Sequence, residues 1–219
     1  SATAPINIGS YAVTATVTDL NYTGTANGTL VILPATHSIP LTVGWNLVSF
    51  NVHPTNTDIA TVLSSITGNY SLVYAWDATS SSNNWLMYDP SMPPFLNSLN
   101  HLDETMGFWI YMTTADTLEV TGLIPVTTNI NVYANAGGWN LVAYPSGVNR
   151  PLPEALSDNG VGTDFSLVYA YDADEVVPWK LFDVNMLPFL NTLTELSPGW
   201  GYWVKVNVNQ TWSVDYLAE

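Results

Sequence analysis

A mainly β fold, built from two tandem homologous β-rich modules behind a separate strand pair, follows from three observations. Apolar residues make up 47% of the chain and charged residues only 10%. Its polar surface therefore comes from Thr, Ser and Asn, in stretches rich in Val, Thr, Tyr and Trp that favour strands. Second, Tyr11, Val13, Ala15 and Val17 alternate with Ala12, Thr14, Thr16 and Thr18, the period of two of a half-buried strand. Third, Gly44-Trp45-Asn46-Leu47-Val48 returns as Gly138-Trp139-Asn140-Leu141-Val142, and the flanking chain returns with it. Each copy, of roughly 85–90 residues, is long enough to bury a core of its own.

Residues 1–34 are expected to form an orphan β-strand pair, 10–18 and 25–33, joined by Asp19-Leu20-Asn21-Tyr22-Thr23-Gly24. Two strands alone are marginal in water. The first repeat covers residues 35–122. Pro34 and Pro40 frame its entry, and a strand is expected over 42–50. Asp58 is then placed to cap a short helix whose Ile59, Val62, Leu63 and Ile66 share one face. Gly68 ends that helix. Strands over 71–76 and 85–88 flank a Ser/Asn-rich turn at 79–84. A Pro-rich loop at 89–94 leads to closing strands over 107–112 and 117–121. Residues 123–128, with Pro125, read as a linker. The second repeat, 129–219, follows the same order with a shorter, Pro-interrupted helix at 152–157.

Two resemblances follow from these patterns. Gly9, Tyr11, Val13, Thr14, Ala15, Val17, Asp19, Asn21, Tyr22 and Gly24 spell a G-x-Y-x-V-T-A-x-V-x-D-x-N-Y-x-G pattern. It resembles the closing strands of the Ig-like MBG repeats of bacterial surface proteins. The series G-W-N-L-V, L-V-Y-A-[WY]-D, W-x-x-[YF]-D and G-[FY]-W-[IV], present in both copies, resembles modules of large secreted and cell-surface proteins of bacteria and archaea, Chloroflexi-like ones especially. The resemblance implies an extracellular, multi-module context, and it brings no catalytic residues to transfer.

Three basic residues, Arg150, Lys180 and Lys205, stand against eighteen acidic ones, a formal charge of −15. Such a surface repels phosphate backbones and anionic lipid, so neither nucleic acid nor membrane is an expected partner. With no cysteine there is neither a disulfide framework nor a thiol nucleophile. No apolar run is long enough for a spanning helix, so membrane insertion is not expected. A start at Ser1-Ala2-Thr3 reads as a mature or excised portion of a longer product, and the composition as extracellular or cell-surface.

Nine tryptophans invite a sugar-binding reading. Six recur as matched pairs, Trp45 with Trp139, Trp85 with Trp179 and Trp109 with Trp203. These are assigned to a shared core, because burying an aromatic contributes about 2–3 kcal/mol. Trp200 and Trp212 have no aromatic counterpart, and with Trp76 and Tyr171 they are the sugar-stacking candidates. Asp172, Asp174 and Glu175 form an acidic turn that could hold calcium, the one cofactor the sequence suggests. Asp89 and Asp183 read as turn caps. His37, His53 and His101 lack ligand-like spacing, and no nucleophile elbow occurs. Asp103 and Glu104 are the acids that could meet another carboxylate for glycoside hydrolysis, and an enzyme is not expected.

The functional expectation is an extracellular structural protein, a subunit or segment of a surface fibre or layer assembled through strand pairing. Tyr11, Val13, Ala15, Val17, Leu30 and Ile32 would then pack against copies of the chain or neighbouring modules by strand complementation. The alternative is a carbohydrate-binding module of a secreted multidomain protein, with polysaccharide as partner.

Overall fold

Residues 5 and 7–217 are described by a computed structural model. The chain is mainly β, and its paired strands are antiparallel among the described residues. Strands β1 (Gly9–Thr16) and β2 (Thr25–Ile32) form a hairpin that, among the described residues, pairs only with itself. Its register sets Tyr11 opposite Leu30, Val13 opposite Gly28 and Gly9 opposite Ile32, so the expected apolar residues share one face. That face is open: Val13, Val17 and Leu30 are all exposed.

The first unit follows as β3 (Ala35–Leu41), β4 (Gly44–Val48), β5 (His53–Pro54), α1 (Ile59–Val62), β6 (Tyr70–Trp76), β7 (Trp85–Tyr88), β8 (Phe108–Met112) and β9 (Asp116–Leu123). The second comprises β10 (Thr127–Val132), β11 (Trp139–Ala143), β12 (Arg150–Pro151), α2 (Glu154–Leu156), β13 (Phe165–Tyr171), β14 (Trp179–Asp183), β15 (Glu195–Leu196), β16 (Gly201–Val206) and β17 (Gln210–Asp215). Each unit has one four-stranded sheet, ordered β4-β8-β6-β7 in the first and β11-β16-β13-β14 in the second, which is the same order in both. Smaller sheets, β3-β9-β5, β10-β17 and β12-β15, complete them.

Several element boundaries differ from the sequence expectation. The strand expected over 42–50 is the shorter β4, and a further strand, β3, precedes it with Pro40 inside, opposite Thr117. Proline fits there because β3 is the edge of its sheet, where a missing N–H costs no ladder bond. The expected linker shrinks to 124–126, its ends absorbed into β9 and β10. Asp58 does cap α1, accepting from Thr61 N at 3.1 Å. The helix is a single α turn followed by a 3-10 turn, Ser64–Ile66, with Ile59, Val62, Leu63 and Ile66 buried. In the second unit α2 runs into a π-type turn, Ser157–Val161. Among the described residues no helix is long and apolar enough to cross a membrane.

Two separate cores result. In the first, Phe50, Val73, Phe108 and Ile110 pack with Leu118 and Val120 of β9; in the second, Tyr144, Val168, Tyr202 and Val204 pack with Trp212 and Val214 of β17. The recurring Gly-Trp-Asn has a local explanation. Gly44 and Gly138 take φ of 97° and 81°, which suits glycine. The buried Asn46 side chain then accepts from Thr42 N at 3.0 Å and donates to Thr42 O at 2.8 Å, and Asn140 repeats this with Tyr133 N at 2.8 Å and Tyr133 O at 3.0 Å. The asparagine therefore clamps the turn between the small sheet and the large one.

The two units are joined by a reciprocal seam. Ser49 N donates to Gly199 O at 2.9 Å, and Ala143 N donates to Thr105 O at 3.0 Å. Bridges Val48–Trp200 and Met106–Val142 flank these bonds. Each of these backbone contacts has its counterpart, residue for residue, on the other side, as in an isologous two-fold interface. Glycine makes the approach possible: a Cβ on Gly107 would lie 2.5 Å from Val142 O, and one on Gly201 would lie 2.7 Å from Val48 O. Gly107→Ala and Gly201→Ala are each expected to cost about 1–3 kcal/mol through forced backbone shifts. Urea denaturation checks this, and midpoints equal to wild type would contradict so tight a seam.

Candidate functional site: an aromatic face across the seam

Alternation in the large sheets decides which aromatics are buried. Along β8, Phe108, Ile110 and Met112 point into the core while Trp109 and Tyr111 point out; along β6, Val73 and Ala75 point in while Tyr74 and Trp76 point out. Trp45 on β4 and Trp85 on β7 join the outer face. In the second unit Trp139, Tyr169, Trp179 and Trp203 occupy the matching positions. The assignment of the paired tryptophans to a shared core is therefore corrected: Trp45, Trp85 and Trp179 are 38%, 41% and 47% exposed, and Trp109, Trp139 and Trp203 are half-buried. Each large sheet is apolar on both faces, so matching between copies could not separate core from surface.

The rings form two equivalent quartets. Trp45 lies 6.0 Å from Tyr74 and 6.2 Å from Trp109, and Tyr74 lies 5.8 Å from Trp85. In the second unit Trp139 lies 5.9 Å from Tyr169 and 6.2 Å from Trp203, and Tyr169 lies 6.0 Å from Trp179. The quartets meet at the seam, where Trp85 is 5.7 Å from Trp203 and Trp109 is 5.7 Å from Trp179. Trp76 and Tyr171 fill the junction symmetrically, 5.3 Å from Trp203 and 5.0 Å from Trp109 respectively. Trp76 also donates its indole N–H to Trp139 O at 3.0 Å. Across the seam the pairs are edge-to-face, an arrangement the ring quadrupole prefers.

Two shallow grooves open on this face. One, of about 530 Å³, is lined by Trp45, Tyr74, Trp85 and Trp109. The other, of about 600 Å³, is lined by Trp76, Trp85, Trp139, Tyr169, Trp179 and Trp203. Besides Trp76 against Tyr171, the quartets differ in a second neighbour: Tyr111 stands 5.1 Å from Trp45, whereas Lys205 lies 5.5 Å above Trp139.

Of the four sugar-stacking candidates, Trp76 and Tyr171 lie in this aromatic face. Trp200 does not; it lines an adjacent cleft with His37, Asp172 and Asp174. There Asn51 N donates to His37 Nδ1 at 3.1 Å, and burial holds the imidazole below its ordinary value of 6.5 despite the opposing field of Glu119. Trp212 is a correction. It is fully buried in the second core, donates to Ala155 O at 2.9 Å and stacks on Tyr144 at 6.1 Å, so it offers no face to a ligand. It takes the place that Leu118 holds in the first unit.

The calcium expectation is likewise corrected, because the three carboxylates do not converge. Among the described residues no group of three His, Cys, Asp or Glu side chains is placed to hold a metal. Asp172 accepts from Asp174 N at 3.2 Å in a local turn, and Glu175 instead faces Lys180 at 3.7 Å. Asp89 accepts from Ser91 N at 2.8 Å and Asp183 from Asn185 N at 2.8 Å, the geometry of turn caps. The Ser91 hydrogen bonds hold the Asp89 carboxyl below the usual carboxylate range. Of the acids named for hydrolysis, Asp103 accepts from Thr105 Oγ1 at 2.6 Å and Glu104 faces His53 Nδ1 at 2.8 Å.

The MBG domain family matches residues 1–36, in keeping with an Ig-like strand pair at that end. No curated protein and no solved structure matches the chain.

Burial separates the two classes of tryptophan. Trp212→Ala is expected to cost about 3–5 kcal/mol, as for other fully buried large aromatics, whereas Trp45→Ala loses exposed edge contacts worth about 1–2 kcal/mol. Equal losses in urea denaturation would contradict this division.

Proposed function

We propose that the two units form one carbohydrate-binding platform of an extracellular, multi-module surface protein. The aromatic face would stack on the pyranose rings of a polysaccharide. One observation carries this reading. Trp45, Tyr74, Trp85 and Trp109 recur unchanged in type as Trp139, Tyr169, Trp179 and Trp203, although they are the less buried aromatics. Part of the core meanwhile varies: Phe50 is matched by Tyr144, Phe108 by Tyr202, Met112 by Val206 and Leu118 by Trp212, while Val73, Ala75 and Val120 recur as Val168, Ala170 and Val214. Packing alone would restrain the buried positions more than the exposed ones. Retention of all four open rings while several core positions change is what a ligand-binding surface requires.

Affinity electrophoresis in gels containing neutral polysaccharides tests it. The chain is expected to be retarded, and Trp45→Ala with Trp139→Ala is expected to weaken retardation about tenfold or more, for a loss of about 1.4 kcal/mol or more. Absence of retardation by every polymer tried would end this reading.

The β1–β2 hairpin favours a second reading, a structural segment of a surface fibre or layer. Among the described residues its strands leave both outer edges unpaired, and Tyr11, Val13, Ala15, Leu30 and Ile32 line one uncovered face with Val17 beyond the strand end. Addition of a strand from a copy or a neighbouring module would satisfy those backbone groups. On this reading, deleting residues 1–34 abolishes polymers seen by electron microscopy while the remaining chain keeps its thermal transition. Polymers persisting after the deletion would refute it.

A further inference from the structure

We infer that the platform holds two glycan chains at once, running in opposite directions, rather than one chain lying across both units. This rests on the carbohydrate reading above and adds the number and sense of the ligands. The seam supplies the reason. Its backbone contacts are reciprocal, Ser49 with Gly199 and Ala143 with Thr105, and Trp85 and Trp179 each approach the other unit's central tryptophan at 5.7 Å. The two quartets are therefore related by an approximate two-fold rotation, the second groove also taking in Trp76 and Trp85 of the first unit.

A glycan chain is directional, with a reducing and a non-reducing end. A quartet that prefers one sense of chain has a two-fold mate that prefers the reverse. One chain crossing the seam would meet one quartet correctly and the other backwards. Two antiparallel chains satisfy both, and the platform then bridges separate polymer molecules.

Charge narrows the ligand class. Arg150 faces Asp158 at 3.4 Å, Lys180 faces Glu175 at 3.7 Å and Lys205 lies over the Trp139 ring. With a formal charge of −15 and these three basic residues so occupied, uronate or sulfated chains are repelled. The fitting class is a neutral, extended pyranose polymer such as a β-1,4-linked glucan or chitin-type chain, whose apolar ring faces can stack on individual exposed indoles.

Titration calorimetry with cellohexaose and chitohexaose tests the number. Two hexaoses per chain are expected for wild type, and one for Trp45→Ala or Trp139→Ala, with near-ultraviolet circular dichroism confirming that each variant is folded. Hydroxyethyl cellulose solutions should gain viscosity on adding wild type and not on adding either single variant. One hexaose per wild-type chain, or undiminished viscosity gain with a single variant, overturns the inference and leaves the carbohydrate reading standing. Gel retardation by a polysaccharide without binding of either hexaose does the same. No binding of either hexaose together with no retardation in any polysaccharide gel overturns both.

Discussion

The reciprocal seam is the constraint on which the rest of the structure depends. Each large sheet carries an apolar outer face, and a lone sheet with two apolar faces would expose one of them fully. The Ser49–Gly199 and Ala143–Thr105 hydrogen bonds set the two units so that these outer faces adjoin, and Trp76 and Tyr171 then cover part of each other's quartet. More than backbone anchors the junction. Ser49 Oγ donates to Trp200 O at 2.6 Å, and Asn51 Nδ2 donates to Ser146 O at 2.9 Å, both from buried side chains. The counterparts of Ser49 and Asn51 in the second unit are Ala143 and Pro145, which carry no side-chain donor. The first unit therefore supplies these side-chain donors and the second supplies the carbonyls they reach, so the junction is two-fold in its backbone but not in its side chains.

Much of the fold is legible in the sequence because strand signals there are local. Asp58 capping ahead of Ile59, the alternation of β1 and the strand Trp85–Tyr88 each depend on neighbours a few residues away. Strand β3 is not legible in the same way, because Pro40 reads as a breaker and only its place on a sheet edge makes it tolerable. The role of Asn46 is equally hidden, since its partner Thr42 is defined by the turn that Gly44 makes.

The candidate site escapes sequence matching for a related reason. A residue repeated in both copies is required by something common to them, and core packing is only one such requirement. Parity along the strands holds the missing signal. Trp109 alternates with Phe108 and Ile110, and Tyr74 alternates with Val73 and Ala75, so the outer rings and the core residues fall on opposite faces. Trp212 shows the converse. Lacking an aromatic counterpart, it reads as dispensable to the common fold, yet it fills the space beside Tyr144 where the first unit has Leu118.

The two units also differ in how they could respond to a ligand. Beside Trp45 stands Tyr111, which adds a ring and a hydroxyl; beside Trp139 stands Lys205, which adds a cation over the indole face. A cation already seated on a ring competes with anything that would stack there, so the second groove must displace or share Lys205 while the first need not. Ring geometry is thus common to both units, whereas the polar groups at the groove edges are individual to each. Stacking supplies affinity that tolerates many sugars, and polar groups at the edge set which one fits. On the carbohydrate reading, the common rings would define the class of ligand, and the residues that differ, Tyr111 and Lys205 foremost, would define what each half of the platform prefers.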